Sequence, residues 1–121
     1  GVEVVRNISA GNSFTETPEL SLVVDTPEGQ VLLVGCSHPG IERILESVHR
    51  KANSVRLIMG GLHWLTLSDS EVERLARNLE HEWSVHSIAP GHCTGEVGFS
   101  VLRRVFGRRY VYAGLGSAIE L

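Results

Sequence analysis

Three short apolar segments of the chain each end in a glycine-rich turn that carries a histidine, and this repeat constrains the fold most strongly. Each turn is followed by residues with helical spacing or a helix-start signal, so the pattern is strand, turn, helix. If the strands are parallel with right-handed connections, the three turns open on one edge of a sheet, where α/β proteins place ligands. The apolar segments are residues 31–34, 55–59 and 85–89, and the turns are residues 35–40, 60–63 and 90–95.

The residues around this repeat predict an α/β layer with helices on one face of a mixed sheet. A turn with Pro27 and Gly29 joins two β-rich segments into a hairpin, and Ser68 with Glu71 forms a capping-box signature. Gly107 is placed to end the last helix. The predicted strands are residues 2–5, 20–25, 30–34, 55–59, 85–89 and 110–113, the predicted helices are 40–51, the segment after Ser68 and 97–106, and residues 7–18 are predicted as a loop.

Composition narrows the class of protein. The 121 residues include 42% hydrophobic and 21% charged residues, which is typical of one globular domain over residues 1–121. Eleven Lys and Arg against fourteen Asp and Glu give a net charge of −3, so we expect neither nucleic acid nor an anionic membrane as a partner. Two cysteines do not make a disulfide framework, and we expect a reduced, cytoplasmic protein.

The histidines in the three turns are the candidates for a metal site. His38, His63 and His92 are far apart in sequence, and Cys36 and Cys93 lie beside two of them. Imidazole and thiolate ligands together suit Zn²⁺ or a related divalent transition metal. Each histidine taken alone is also explained as a surface or helix-capping residue. Cys93 is explained equally well as a metal ligand and as a small buried residue. Cys36 is interpreted as a metal ligand or a nucleophile.

The remaining signals favour structural roles. His49, His81 and His86 are interpreted as solvated or structural residues. The glycines at 114 and 116 resemble part of a dinucleotide-binding motif, but only five residues follow them. Thiol redox chemistry has no Cys-x-x-Cys spacing to support it. The basic side chains near the end of the last helix are interpreted as compensating its dipole; they are Arg103, Arg104, Arg108 and Arg109.

Four motifs in order carry a resemblance to a known family. They are Glu-Leu-Ser-Leu at 19–22, Gly-Cys-Ser-His-Pro-Gly-Ile at 35–41, Gly-Gly-Leu-His at 60–63 and His-Cys-Thr-Gly at 92–95. From about Thr15 onward the chain resembles the carboxy-terminal half of a metallo-β-lactamase-fold hydrolase, in the branch that includes dihydropterin ribofuranosylaminobenzene phosphate synthases. The resemblance implies an αββα sandwich, of which this chain supplies one half, and a divalent metal centre at the sheet edge.

The resemblance also implies roles for residues in the motifs. His92 occupies the last metal-ligand position, Cys36 falls where many relatives have a bridging aspartate, and His38 is typical of this branch. We expect these three residues to bind a metal, most simply Zn²⁺ with manganese or iron as alternatives, and to bind it only weakly or partially in this chain. His63 is implied as a catalytic group. The residues after His92 in its motif, Cys93 and Thr94, are expected to contact the substrate.

One motif of the family is missing from the 121 residues. The His-x-His-x-Asp-His signature, which supplies most ligands of the first metal and the catalytic aspartate, does not occur. We therefore expect a partial metallo-hydrolase domain for a phosphoester or ester-type small molecule, inactive or weakly active alone. The alternative is a non-catalytic module that self-associates or binds a partner. Either way the expected partner is a second copy or a complementary amino-terminal half.

Overall fold

The fold is taken from a computed structural model, which describes residues 1–8, 18–48 and 54–121. A five-stranded sheet has the strand order β1-β2-β3-β4-β5, with β1, β2 and β3 antiparallel and β3, β4 and β5 parallel. The strands are β1 (Val2–Ile8), β2 (Pro18–Thr26), β3 (Gly29–Leu33), β4 (Val55–Gly60) and β5 (Ser87–Pro90), and the helices are α1 (Ile41–Val48), α2 (Asp69–His81) and α3 (Glu96–Phe106).

The predicted hairpin, the start of α2 and the end of α3 are confirmed. Thr26 pairs with Gly29 across the β2–β3 turn, and the φ of +124° at Gly29 explains why glycine is needed there. At the start of α2 the Ser68 hydroxyl accepts a hydrogen bond from the Glu71 backbone, while the Glu71 carboxylate accepts one from the Ser68 backbone. Gly107 caps the end of α3 with a φ of +55°. Local signals therefore define these boundaries.

The three helices pack on one face of the sheet, as predicted. Val23, Leu32, Ile58 and Ile88 project from four strands into this core and are almost fully buried. The helices complete the same core with apolar residues at helical spacing. These are Ile41, Ile44, Leu45 and Val48 of α1, Val72, Ala76 and Leu79 of α2, and Val101, Leu102 and Phe106 of α3.

Within the described ranges, the other face of the sheet is covered at one end only. Val31, Leu57 and Ala89 are buried there beneath the carboxy-terminal segment, which contributes Val111 and Ile119. Across β1, β2 and part of β4 the same face is exposed to solvent. We call this the bare face; its large apolar residues and their exposed fractions are Val2 69%, Val4 58%, Ile8 40%, Leu20 60%, Leu22 40% and Met59 37%.

Several predicted boundaries were wrong. β1 extends to Ile8 and β2 begins at Pro18, so both ends of the predicted 7–18 loop belong to an antiparallel ladder, while residues 9–17 lie outside the described part. The strand predicted at 85–89 runs from Ser87 to Pro90. The predicted last strand, 110–113, is reduced to a single bridge between Tyr110 and Ile88.

Two further points concern the helices. The helix predicted over 40–51 is helical over residues 41–48. Residues 49–51, which include His49, lie outside the described part. In the described ranges, no helix combines the length and the apolar character that crossing a membrane requires.

Candidate metal centre

The three glycine-rich turns meet at one edge of the sheet because β3, β4 and β5 are parallel neighbours. Backbone hydrogen bonds continue the ladder beyond the strands and join the turns to each other. The Gly61 amide donates to the Gly35 carbonyl at 2.8 Å, and the Gly91 amide donates to the Gly60 carbonyl at 2.6 Å. The predicted convergence of the turns on one sheet edge is present in the structure.

Three side chains of the types that bind metals come together at this edge, and we call Cys36, His92 and Cys93 the thiol cluster. The Cys36 Sγ lies 3.0 Å from the His92 Nε2, and one donor atom from each residue lies within 4.8 Å of the others. Zn–S bonds are about 2.3 Å and Zn–N bonds about 2.0 Å, so one ion is able to span such a group. Two thiols and an imidazole are a donor set that fits Zn²⁺.

Gly61 makes room for the thiol cluster. A Cβ at this position would lie 2.4 Å from the Cys93 Sγ, 2.9 Å from the Gly35 carbonyl oxygen and 3.1 Å from the His92 Cε1. Only glycine therefore allows the turn after β4 to pass so close to the turn after β5. The Cys93 sulfur is further fixed by the His63 amide, which donates to it at 3.3 Å.

The surroundings favour the protonated form of Cys36. Burial makes the largest contribution to raising the pKa of the Cys36 thiol, followed by its hydrogen bond and charge interaction with Cys93 and then by the charge of Glu19. A divalent cation bound between the sulfurs would favour the thiolate instead.

His38 and His63 form a second pair on the exposed side of the same edge. Their ring centroids are 4.5 Å apart with the rings edge to face, and both residues are exposed. Neither belongs to the thiol cluster. The structure therefore divides the three predicted histidines into His92, which contacts Cys36, and the pair of His38 with His63.

Glu19 holds the turn that carries His38. One oxygen of its carboxylate accepts the Ser37 amide at 2.6 Å, and the other accepts the His38 amide at 3.0 Å and lies 2.8 Å from the His38 Nδ1. Burial raises the pKa of the Glu19 carboxyl, but the hydrogen bonds from His38 and Ser37 outweigh it, so the pKa is lowered overall. Ser37 itself has a φ of +60°, which a non-glycine residue rarely adopts without such support.

Sequence reasoning missed Glu19 as a site residue, although it begins the first motif of the resemblance. A single carboxylate at the start of a strand, eighteen positions before Ser37, gives no local signal. Of the expected substrate contacts, Cys93 belongs to the thiol cluster. Thr94 is fully buried, and its hydroxyl accepts a hydrogen bond from the Leu62 amide at 3.3 Å.

Of the histidines interpreted as structural, His81 and His86 lie away from the thiol cluster, and His49 lies outside the described residues. His81 is exposed on α2, with its Nε2 3.5 Å from a Glu80 carboxylate oxygen. His86 lies before β5 with its Nδ1 2.8 Å from the Ser87 hydroxyl. Its pKa is lowered, first by burial and then by the charges of Arg56 and Arg109.

Two cavities border the site. One of about 510 Å³ lies beside His38 and His63, and Arg43, Glu46 and Trp64 contribute to its wall. The other, of about 370 Å³, opens beside His92. The first cavity therefore borders the His38–His63 pair, and the second borders the thiol cluster at His92.

Comparison with known proteins supports the fold. In the crystal structure of Tm1679, a metal-dependent hydrolase of the β-lactamase superfamily, the similar region covers 86% of this chain and 41% of that chain, with a TM-score of 0.79 and 34% identity. No protein-family model matches the chain.

Two curated relatives come from Methanocaldococcus jannaschii. One is 7,8-dihydropterin-6-methyl-4-(beta-D-ribofuranosyl)-aminobenzene-5'-phosphate synthase, 33% identical over 81 residues, which are 64% of this chain and 26% of the relative. The other is an uncharacterized protein, 30% identical over 93 residues, which are 75% of this chain and 34% of the relative.

These similarities confirm the resemblance to the metallo-β-lactamase superfamily, whose fold this chain shares. The matched regions span between about a quarter and two fifths of the proteins they were found in. The activity, substrate and partners of those whole proteins therefore reach this chain only as proposals.

Proposed function

We propose that the chain is the carboxy-terminal half-domain of a metal-dependent hydrolase that acts on an ester or phosphoester of a small molecule. The observation that carries the proposal is the thiol cluster at the carboxyl edge of the parallel strands, where Cys36, His92 and Cys93 have donor atoms within 4.8 Å of each other. A divalent cation bound there, Zn²⁺ by the preference of the donors, would polarise the scissile bond and stabilise the charge that develops on its oxygen.

The residues of this chain would have distinct roles. Cys36 and His92 would hold the cation, and Cys93 would add a second sulfur from the same turn. His63 is proposed as a catalytic group because its exposed imidazole lies at the cavity of about 510 Å³, beside His38. Glu19 would fix the position of the His38 ring through Nδ1.

A complementary partner is part of this proposal. The missing His-x-His-x-Asp-His signature would come from an amino-terminal half, and with it the further ligands and the general base. The bare face supports such a partner because exposed apolar surface of this extent is typical of an interaction site. Without the other half, we expect hydrolysis to be weak or absent. Both cysteines are free thiols, which is compatible with the proposed cytoplasmic location.

The second candidate function is a non-catalytic module that associates through the bare face. Leu20, Leu22 and Val4 favour it, because they form an apolar surface without any contribution from the metal centre. This function predicts self-association that does not depend on the thiol cluster.

Elemental analysis of the purified chain tests the metal proposal. After dialysis against Zn²⁺ and then metal-free buffer, we expect the wild-type chain to retain zinc and His92→Ala to lose most of it. His81→Ala is the matched control, since His81 is an exposed histidine on α2, outside the thiol cluster. Equal zinc content in the wild type and His92→Ala would contradict the proposal.

A further inference from the structure

Cys36 and Cys93 are separated by 57 positions in sequence, yet the fold brings their sulfur atoms within 4.8 Å of each other. The Cys93 thiol also donates a hydrogen bond of 3.5 Å to the Cys36 backbone carbonyl, so its sulfur lies directly against residue 36. These are the two cysteines of the chain, and both are free thiols. Two thiols at this separation are close to the arrangement of a disulfide, in which the sulfurs are about 2 Å apart.

The two sulfurs differ in how firmly they are held. Cys93 is only 8% exposed, and its sulfur accepts the His63 amide at 3.3 Å. Cys36 is half-buried in the turn after β3, and its sulfur contacts the exposed His92 imidazole at 3.0 Å. Rotation of the Cys36 side chain from one staggered rotamer to another therefore supplies the movement that closes the gap, while Cys93 stays in place.

The same difference sets the order of reaction with a small-molecule disulfide as the oxidant. Because Cys36 is the more exposed, its sulfur attacks the oxidant first, forming a mixed disulfide and releasing one thiol. The Cys93 sulfur then attacks the Cys36 sulfur, which breaks the mixed disulfide, forms the Cys36–Cys93 bond and releases the second thiol. The protons of the two cysteines end on the two released thiols, so the chain is oxidised and the small molecule is reduced.

Disulfide formation and metal binding exclude each other at the thiol cluster. A cysteine binds a metal as its thiolate, and a sulfur in a disulfide is no longer one. The Cys36–Cys93 bond would therefore remove two of the three donors at once and leave the His92 imidazole. Zn²⁺ sites in proteins are built from several such donors, so one imidazole does not retain the ion. A bound cation, in turn, would protect both sulfurs from the oxidant.

We propose that Cys36 and Cys93 are a reversible redox modification site, which a small-molecule disulfide closes to an intramolecular disulfide and a small-molecule thiol reopens. The sulfur pair alone defines the site; that its oxidation releases a metal rests on the proposed function.

Equilibration with mixtures of reduced and oxidised glutathione tests the site on the full chain kept metal-free by a chelator. After the remaining thiols are blocked by alkylation, intact mass spectrometry separates the intramolecular disulfide from the reduced chain, from glutathione adducts and from cross-linked dimers. We expect the folded chain to form the disulfide about tenfold or more favourably than the same chain in concentrated urea, because the fold keeps the thiols together. An equilibrium no more favourable in the folded chain, or adducts and dimers alone, would overturn the proposal.

Two matched variants test the order of reaction. Cys93→Ser should accumulate a glutathione adduct at Cys36, whereas Cys36→Ser should form little adduct over the same time because Cys93 is buried. Circular dichroism checks that both variants are folded. Equal adduct formation in the two folded variants would overturn the assignment of Cys36 as the cysteine that reacts first.

Zinc separates this proposal from the metal proposal. The wild-type chain loaded with Zn²⁺ should form the disulfide more slowly than the metal-free chain and release zinc to a colorimetric chelator as it does so. His92→Ala retains both cysteines and should form the disulfide with much less protection by zinc. A disulfide in the metal-free chain without any protection by zinc supports the modification site and overturns the metal proposal. A chain that retains zinc but forms no disulfide when metal-free overturns the modification site alone.

Discussion

The Glu19 carboxylate and the His38 imidazole are 2.8 Å apart, although β2 supplies the first and the turn after β3 the second. The same carboxylate accepts the amides of Ser37 and His38, so it fixes both the backbone of the turn and the ring. With Nδ1 as the donor to Glu19, the His38 Nε2 is left to act as an acceptor. The relationship holds the His38 ring in place and leaves its second nitrogen available to accept a hydrogen bond.

We predict that Glu19→Gln destabilises the fold by roughly 1.5–3 kcal/mol, the contribution of a hydrogen bond to a charged group, because one acceptor is lost. The amide nitrogen of glutamine is a donor, so it is unable to replace the carboxylate oxygen that accepts either Ser37 or His38. Urea unfolding followed by circular dichroism measures the change. Glu28→Gln, in the exposed β2–β3 turn, should leave the stability unchanged. Equal midpoints for the two variants would mean that Glu19 does not support the turn.

Gly61→Ala should disrupt the thiol cluster. The added methyl group would lie 2.4 Å from the Cys93 Sγ, so the turn or the sulfur must move, and overpacking of this kind costs about 1–3 kcal/mol. We expect lower stability and lower zinc retention. Gly35→Ala is the control in the adjacent turn, since a Cβ there meets nothing closer than the Glu19 Oε1 at 3.6 Å. Zinc retention unchanged by Gly61→Ala would show that the metal is held elsewhere.

Periodicity and local capping signals were sufficient to predict much of the fold. Ser68 with Glu71 and Gly107 define helix ends through interactions within one turn, so they are visible in the sequence. The convergence of the turns followed from topology alone, because neighbouring parallel strands end at the same edge.

The site could be predicted only in outline because its details depend on contacts between distant residues. The grouping of Cys36 with His92 depends on how two turns 56 residues apart face each other, and the separate His38–His63 pair depends on the positive φ of Ser37 and His63. Tyr110 shows an error of another kind. The segment 110–113 is β-rich in sequence, but where the carboxy-terminal segment crosses the sheet it forms a single bridge, between Tyr110 and Ile88.

Removal of the α2 cap should cost about 1 kcal/mol. Ser68→Ala eliminates the hydroxyl that accepts the Glu71 amide, and the typical effect of losing a serine cap is of this size. Thermal or urea unfolding measures the loss. Ser100→Ala, at an exposed position within α3, removes a hydroxyl without removing a cap. A loss of stability no larger than that of Ser100→Ala would argue against the cap.

The same cap predicts a pH effect. The Ser68 hydroxyl and then the Ser68 backbone amide lower the pKa of the Glu71 carboxyl below 4.5. Because the folded-state pKa is depressed, the stabilising contribution of the ionised carboxylate is complete above the unfolded-state pKa and is lost as the pH falls through the lowered value. In Ser68→Ala the pKa of Glu71 should rise toward 4.5 in an NMR titration. The pKa of Glu73, lowered mainly by Arg104, should not change.

The bare face should drive association of the isolated chain. Leu20 and Val4 lie on adjacent antiparallel strands and are 60% and 58% exposed, so a lysine at either position places a charge in the middle of any apolar interface. We predict that the wild-type chain forms dimers or larger species in light scattering at micromolar concentration and that Leu20→Lys shifts it toward the monomer. Val97→Lys is the control, because Val97 is 42% exposed on α3, which packs on the opposite face of the sheet. A wild-type chain that stays monomeric and well folded would show that the bare face is tolerated in water, and the need for a complementary half would then rest on the missing metal ligands alone.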